Sequence, residues 1–321
     1  MTNFSLLKPT GHLTLGNYLG ALRPMRETAQ RHGADSYYGI ADLHALTVPH
    51  DPAALRELVP EMATLLLAVG LEPATLFVQS HVPAHSELSY LLECVASTGE
   101  LNRMIQFKEK GRGVPTTRAS LFTYPALMAA DILLYRAEKV PVGEDQRQHV
   151  ELARDLALRF NHTYGPVFTV PEIATPPAGA RVMDLQDPTT KMGKSHASGA
   201  GIVYLLDRPD VVRRKVARAV TDSDTGPAAL RRDREAKAGV TNLIDILEAC
   251  GGTAEGLSTY GALKAAVADA VVAELEPLQK RYDDLARDPA AVTAVYAAGA
   301  ERCRATTAPV LAAARNAIGL G

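Results

Sequence analysis

Through its first 190 residues the chain alternates short apolar strands with helical stretches, and no other feature restricts the fold as much. Strands joined through a helix run parallel, because the crossover carries the chain back before the next strand begins. Phe4 to Leu7 reads as a strand, Leu15 to Arg31 as the helix after it, and Tyr37 to Ala41 as a second strand. Asp51-Pro52 then opens a helix, with aspartate as N-cap and proline at the first helical position, and Gly70 closes it after the apolar run Leu65, Leu66, Leu67, Val69. Thr75 to Gln79 is a third strand. Pro83 to Ser97 and Ser120 to Arg136 are helices, and Lys139 to Val142 is a fourth strand leading into a helix from about Asp145 to Phe160.

From about Gly199 the strand signals fade. Leu263, Val267, Ala270, Val271, Leu275, Leu278, Tyr282 and Leu285 recur at helical steps, forming one apolar face on a long helix that contains Pro277. Asp288-Pro289 ends it and starts the last helix. The predicted fold class is α/β: a Rossmann-type parallel-sheet nucleotide-binding domain over 1–198, then an α-helical domain over 199–321 whose last helix is free to pack back on the first.

The composition fits a soluble globular chain, with 47% hydrophobic and 22% charged residues among 321. No apolar run approaches the roughly 20 residues of a membrane span, and the first residues lack the basic start of a signal peptide, so a cytoplasmic location is expected. Cys94, Cys250 and Cys303 form no C-x-x-C pair and read as buried small hydrophobes rather than as a disulfide framework or a metal site. A net charge of −2 supplies no global attraction to nucleic acid, so any RNA contact must use local basic patches. The whole chain contains no tryptophan.

Two words carry the chemistry. Lys8-Pro9-Thr10-Gly11-His12-Leu13-Thr14-Leu15-Gly16-Asn17 follows the first strand, where open parallel sheets bind ligands. Its glycines allow close backbone approach, and Thr10, His12, Thr14 and Asn17 offer hydrogen bonds to phosphate or ribose; a plain glycine turn with a capping threonine is the competing reading. Lys191-Met192-Gly193-Lys194-Ser195 follows the turn-rich Asp187-Pro188-Thr189-Thr190, placing two lysines on a surface loop. Loop lysines are often merely solvated, but paired with the first word they suit cations that close on ATP and release pyrophosphate. A third feature is the helix face Tyr124, Met128, Asp131, Tyr135, which sets a carboxylate among aromatic and thioether groups. A buried carboxylate needs a donor, from the protein itself or from a ligand.

These words resemble the signature motifs of class I aminoacyl-tRNA synthetases, and the chain is similar to the bacterial tryptophanyl-tRNA synthetases over nearly its whole length. The likeness continues through Leu15-Gly16-Asn17-Tyr18-Leu19-Gly20-Ala21-Leu22, Ala41-Asp42-Leu43-His44-Ala45-Leu46-Thr47, Arg103-Met104-Ile105-Gln106-Phe107-Lys108-Glu109-Lys110, Leu127-Met128-Ala129-Ala130-Asp131-Ile132 and Val140-Pro141-Val142-Gly143-Glu144-Asp145-Gln146. The resemblance implies that Asp131 accepts the indole N–H of tryptophan in a slot lined by Met128, Val140 and Val142. It places Tyr124 and Gln146 on the α-ammonium and His44 and Gln106 by the carboxylate, although His44 also reads as a packed histidine at a strand end. Gly143, Glu144, Asp145 and Val182 would surround the adenosine. Lys110, Lys191 and Lys194 would act on the phosphates of Mg²⁺-bound ATP, with Lys8, Pro9, Thr10, Thr14, Gly16, Asn17, Met192, Gly193 and Ser195 completing the nucleotide site. No metal-ligand cluster is visible, consistent with Mg²⁺ carried by phosphates and water. The implied partners are L-tryptophan, tRNA(Trp) and a second subunit in a homodimer, with no membrane.

Five positions depart from the pattern. Leu6-Leu7-Lys8 stands where the family usually has glycine, isoleucine and glutamine, Gly193 where it has serine, and His196 where aspartate is common. Lys8 sets a positive charge beside the substrate carboxylate, and the expectation is weaker inhibition by tryptophan mimics. An enzyme without tryptophan codons would suit an auxiliary, inducible role. The rivals are a tyrosyl-tRNA synthetase, a nucleotidyltransferase acting on a small carboxylic acid, and a non-catalytic tryptophan sensor.

Overall fold

A computed structural model describes residues 2–111, 113–174, 179–193, 199–226 and 229–321. Its centre is a parallel sheet in the order β1-β2-β3, formed by Asn3–Leu7, Ser36–Ile40 and Thr75–Val78, with Phe4 opposite Tyr37 and Tyr37 opposite Thr75. Every residue of β2 is buried, as expected of a strand covered on both faces. β4 (Lys139–Pro141) runs beside β1 and pairs in parallel with β5 (Glu172–Ala174). The three residues of β5 carry no alternation that a pattern search would register.

The helix predicted from Leu15 to Arg31 is three segments: α1 (Leu15–Asn17), a π-helical turn over Tyr18–Leu22, and α2 (Arg23–His32). Pro24 explains the interruption. Its ring nitrogen has no hydrogen to give the Gly20 carbonyl, and the wider turn closes instead from the Arg23 N–H to the Tyr18 carbonyl. α3 (Asp42–Ala45) follows β2 directly. α4 (Pro52–Val69) has the predicted ends: Asp51 accepts the Ala53 N–H at 2.9 Å, and Gly70 terminates the helix at φ 97°.

After β3 come α5 (Ala84–Glu93), α6 (Thr98–Arg103), α7 (Ile105–Lys110), α8 (Ala119–Leu134) and α9 (Glu144–Tyr164). Ser97 and Glu100 cap the start of α6 reciprocally, and Glu100 also takes the guanidinium of Arg159 from α9, which holds its carboxyl down at about 2. The helical remainder comprises α10 (Pro209–Ala217), α11 (Ala238–Ala249), α12 (Tyr260–Ala286) and α13 (Pro289–Ile318). α12 continues through Pro277 and packs on α4, α10 and α11. Cys303 is buried and Cys250 partly so, but Cys94 is exposed: it occupies the C-cap of α5 at the surface, not the interior expected of it.

α13 returns to the sheet and lies against β3, α5 and α8. Each of two apolar clusters contains residues from both sides of position 198, one joining Leu66 and Leu76 to Leu275 and Tyr296, the other Phe77 and Leu133 to Cys303 and Val310. The approach of α13 to β3 is very close. A Cβ on Gly299 would fall 1.8 Å from the Leu76 carbonyl oxygen. Gly299→Ala therefore destabilises the protein by about 1–3 kcal/mol, although alanine is the better helix former by roughly 1 kcal/mol. Urea unfolding checks the sign.

Candidate active site

The first word is sewn into the fold by its backbone. Leu15 N–H donates to the Val203 carbonyl at 2.8 Å, the Leu205 N–H donates to the Leu13 carbonyl at 2.9 Å, and Thr14 forms an isolated antiparallel bridge with Tyr204. Thr14 is fully buried. Its hydroxyl donates to Asn17 Oδ1 at 3.2 Å and accepts the Asn17 N–H at 3.2 Å, while its own N–H meets Asn17 Oδ1 at 3.0 Å. Thr14 and Asn17 thus cap each other, as the glycine-turn reading supposed. His12 pairs with Glu61 at 2.7 Å, Pro9 is buried, and Thr10 is exposed.

The two words meet at Gly16. A Cβ there would lie 3.2 Å from the carbonyl oxygen and 3.4 Å from the Cβ of Met192, so a glycine at the head of α1 lets the lysine segment rest on it. Met192 is buried and gives its N–H to the Val182 carbonyl at 3.1 Å, over an equally buried Val182. Lys191 bridges Met183 in antiparallel fashion, and the Asp184 N–H reaches the Thr190 carbonyl at 2.9 Å. Lys191 is exposed and Gly193 half-buried; Lys194, Ser195 and His196 lie outside the described residues.

Lys8 sits where β1 ends. Its ammonium lies 5.5 Å from the centre of the Tyr124 ring. The residue as a whole is exposed, yet the protein packed around its ammonium and then the nearby charge of Lys110 hold it below the usual lysine range. Lys110 is exposed at the end of α7, and Gln106 is half-buried on the same helix. Gln148 of α9 anchors α7, accepting the Ile105 N–H at 2.9 Å and donating to the Arg103 carbonyl at 3.2 Å.

Asp131 lies on α8 beneath these groups and is 1% exposed. The donors it needs come from the protein: Gln79 Nε2 at 2.8 Å and 3.0 Å, His85 Nδ1 at 2.6 Å, and His44 Nε2 at 2.7 Å. Burial raises the Asp131 carboxyl, but hydrogen bonds from His44 and His85 outweigh it and hold the group below the usual carboxylate range. The other nitrogen of His85 accepts from the Tyr135 hydroxyl at 3.0 Å. Tyr124 bonds His149 of α9, and burial raises its phenol well above the ordinary value. Met128 and Val142 are partly buried and Val140 is 5% exposed, beside the same stretch of sheet.

Gly143 is the N-cap of α9, and Gln146 donates its N–H to the Gly143 carbonyl at 3.0 Å, its side chain half-buried. Glu144 and Asp145 open α9; their side chains lie outside the described set. Gln79 and His85 were not singled out from sequence. Gln79 directly follows β3, where the strand-end rule applied to Lys8 would have found it, and His85 lies in the first turn of the next helix, α5, where no local signal marks it.

The model for "tRNA synthetases class I (W and Y)" matches residues 1–282. The chain belongs to that family. It is 56% identical to tryptophan–tRNA ligase 1 of Streptomyces avermitilis, over 99% of this chain and 98% of the relative, and 45% identical to the tryptophan–tRNA ligase of Bacillus subtilis, over 100% and 98%. Among solved structures it is similar to the tryptophanyl-tRNA synthetase of Mycoplasma pneumoniae, with a TM-score of 0.86 at 36% identity, covering 100% of this chain and 98% of that one. The enzyme from Campylobacter jejuni, solved with ADP and tryptophan, superimposes with a TM-score of 0.84 at 30% identity and full coverage of both chains. In this class I synthetase Asp131→Asn replaces an acceptor of three donors by a group that is half donor. Its stability falls by about 3 kcal/mol, measured by chemical denaturation of both proteins at neutral pH.

Proposed function

We infer that this protein ligates L-tryptophan to tRNA(Trp) through a tryptophanyl-adenylate, consuming ATP and releasing AMP and pyrophosphate. The observation that carries the reading is the contact of Gly16 with Met192, which brings the glycine turn and the lysine segment to one end of the sheet, above the buried carboxylate of Asp131.

The tryptophan carboxylate attacks the α-phosphorus of Mg²⁺-bound ATP, and negative charge grows on the departing pyrophosphate. Lys110, Lys191 and Lys194 supply the protein's cations for that charge, so the rate arises from positioning and electrostatics without a covalent enzyme intermediate. The ribose of the terminal tRNA adenosine then takes the tryptophanyl group. Asp131 accepts the indole N–H, Met128, Val140 and Val142 line the slot, Tyr124 and Gln146 hold the α-ammonium, and His44 and Gln106 face the carboxylate. Gly143, Glu144, Asp145 and Val182 surround the adenosine, with Lys8, Pro9, Thr10, Gly16, Asn17, Met192, Gly193 and Ser195 around the nucleotide. Thr14 serves the site indirectly, by capping α1. An Asp131 that prefers a donor disfavours phenylalanine, which has none.

Residues 199–321 would form the anticodon-recognition domain of a cytoplasmic homodimer. Several of its basic groups already have acidic partners: Lys215 with Asp207 at 2.6 Å, Arg232 with Asp245 at 3.1 Å and Lys237 with Asp222 at 2.9 Å. A tRNA backbone must therefore compete with these carboxylates.

Pyrophosphate exchange with each of the twenty amino acids, followed by charging of tRNA, tests the reading. Tryptophan alone should drive exchange and appear on tRNA(Trp); exchange driven by tyrosine, or none, would sink it. A second expectation concerns Lys8, whose ammonium lies over the ring assigned to the α-ammonium. Lys8→Gln should lower the inhibition constant of a tryptophan-mimicking inhibitor by about tenfold, the effect of one charged contact. An unchanged constant removes Lys8 as the source of resistance.

A further inference from the structure

The carboxylate of Asp131 is fully occupied. An ionised carboxylate offers about four lone-pair sites, and all four are taken: Oδ1 by His85 at 2.6 Å and Gln79 at 2.8 Å, Oδ2 by His44 at 2.7 Å and Gln79 at 3.0 Å. An indole N–H entering the slot would find no vacant acceptor, so one of the three donors must withdraw.

The three differ in how firmly they are held. Gln79 is 0% exposed and spans both oxygens with a single amide nitrogen. His85 is also 0% exposed and is clamped at both ends, donating from Nδ1 to Asp131 and accepting at Nε2 from the Tyr135 hydroxyl, against which the Cys303 thiol of α13 also lies. Its ring stacks on Phe77 with centroids 5.8 Å apart. Among the described residues His44 Nδ1 and Gln79 Oε1 are both buried without a partner, so His44 is held by one nitrogen and one contact, whereas Gln79 keeps two contacts to Asp131. It sits on α3, a helix of four residues, with its ring edge toward Tyr124 at 6.2 Å.

We propose that His44 occupies the indole N–H position on Asp131 in the empty enzyme and is exchanged for tryptophan on binding, while Gln79 and His85 stay in place. The proposal rests on the tryptophan reading above and adds the step by which that ligand is admitted. The exchange keeps Asp131 satisfied in both states: one N–H donor replaces another, and the carboxylate is never left buried without its full set of partners. It also gives His44 a use for the atom it frees. Nε2–H becomes available to the carboxylate end of the substrate, the place the family resemblance assigns to this histidine. An apolar ring of similar shape cannot complete the exchange, because displacing His44 without offering an N–H leaves Oδ2 short of a donor.

Two measurements on the full-length protein test this. The first uses histidine-labelled protein and nitrogen-15 NMR. The empty enzyme should show low-field imidazole N–H resonances from His44 and His85, the first identified by its loss in His44→Asn and the second by its loss in His85→Asn. Saturation with tryptophan should shift or remove the His44 signal, as its N–H leaves Asp131, and leave that of His85 in place; both signals unmoved at saturation overturns the proposal, and does so on the wild-type protein even if every variant misfolds. The second measures binding of indole itself, which fills the slot but has no carboxylate for the freed His44 to meet; the chain has no tryptophan, so indole fluorescence reports the ligand alone. In His44→Ala the indole N–H gains its bond to Asp131 without displacing another, so indole should bind about tenfold more tightly than to wild type. An affinity for indole within about twofold of wild type, or weaker, overturns the exchange. Failure of tryptophan to bind at all would remove the tryptophan reading and this inference with it, whereas binding with both resonances unmoved removes the exchange alone.

Discussion

A carboxylate 1% exposed to solvent is the constraint around which the catalytic half is arranged. Left alone, Asp131 would lose several kcal/mol of hydration on burial or give up its charge. Its partners come from three different elements: the end of β3 supplies Gln79, the start of α5 supplies His85, and α3, directly after β2, supplies His44. The parallel sheet makes this convergence possible, because its order sets the carboxyl ends of neighbouring strands side by side. Tyr135 extends the network from His85 toward Cys303 of α13, so the C-terminal helix shares a polar chain with the buried carboxylate as well as an apolar core with the sheet.

The nucleotide end depends on small residues. Gly16 admits the Met192 backbone, Gly179 lies so close that a Cβ would meet the Gly20 carbonyl oxygen at 2.3 Å, and Gly299 admits α13 to β3. At Gly179 and Gly299 two segments far apart in the chain approach to a distance that any side chain would prevent, and at Gly16 a Cβ would make a tight contact at 3.2 Å. Thr14 and Asn17 contribute by fixing the helix start. A threonine there is legible equally as a ligand donor or as a cap, and the fold resolves the ambiguity by burying its hydroxyl against Asn17.

The helix ends marked by Asp51-Pro52, Gly70 and Asp288-Pro289 were legible because capping chemistry is local and needs only the neighbouring residues. The strands after each turn were legible for the same reason. The π-helical turn at Tyr18–Leu22 was written in Pro24, but its consequence appears only when the lost hydrogen bond is followed through the backbone. β5 was illegible: three residues hold no period, and its strand character comes from pairing with β4. The burial expected of Cys94 failed because hydrophobicity alone does not say which face of a helix end meets the core.

By itself the sequence determined the α/β order of elements, their caps, the two motif words and the helix face carrying Asp131, all of which depend on residues within a few turns of one another. Only the tertiary structure decided what satisfies Asp131. Gln79, His85 and His44 lie 52, 46 and 87 residues from it, and hydrogen-bond partners over such separations are chosen by the packing of strands and helices, not by local chemistry. The same holds for Gly16 and Met192: each is recognisable alone, but their contact exists because the chain folds one onto the other.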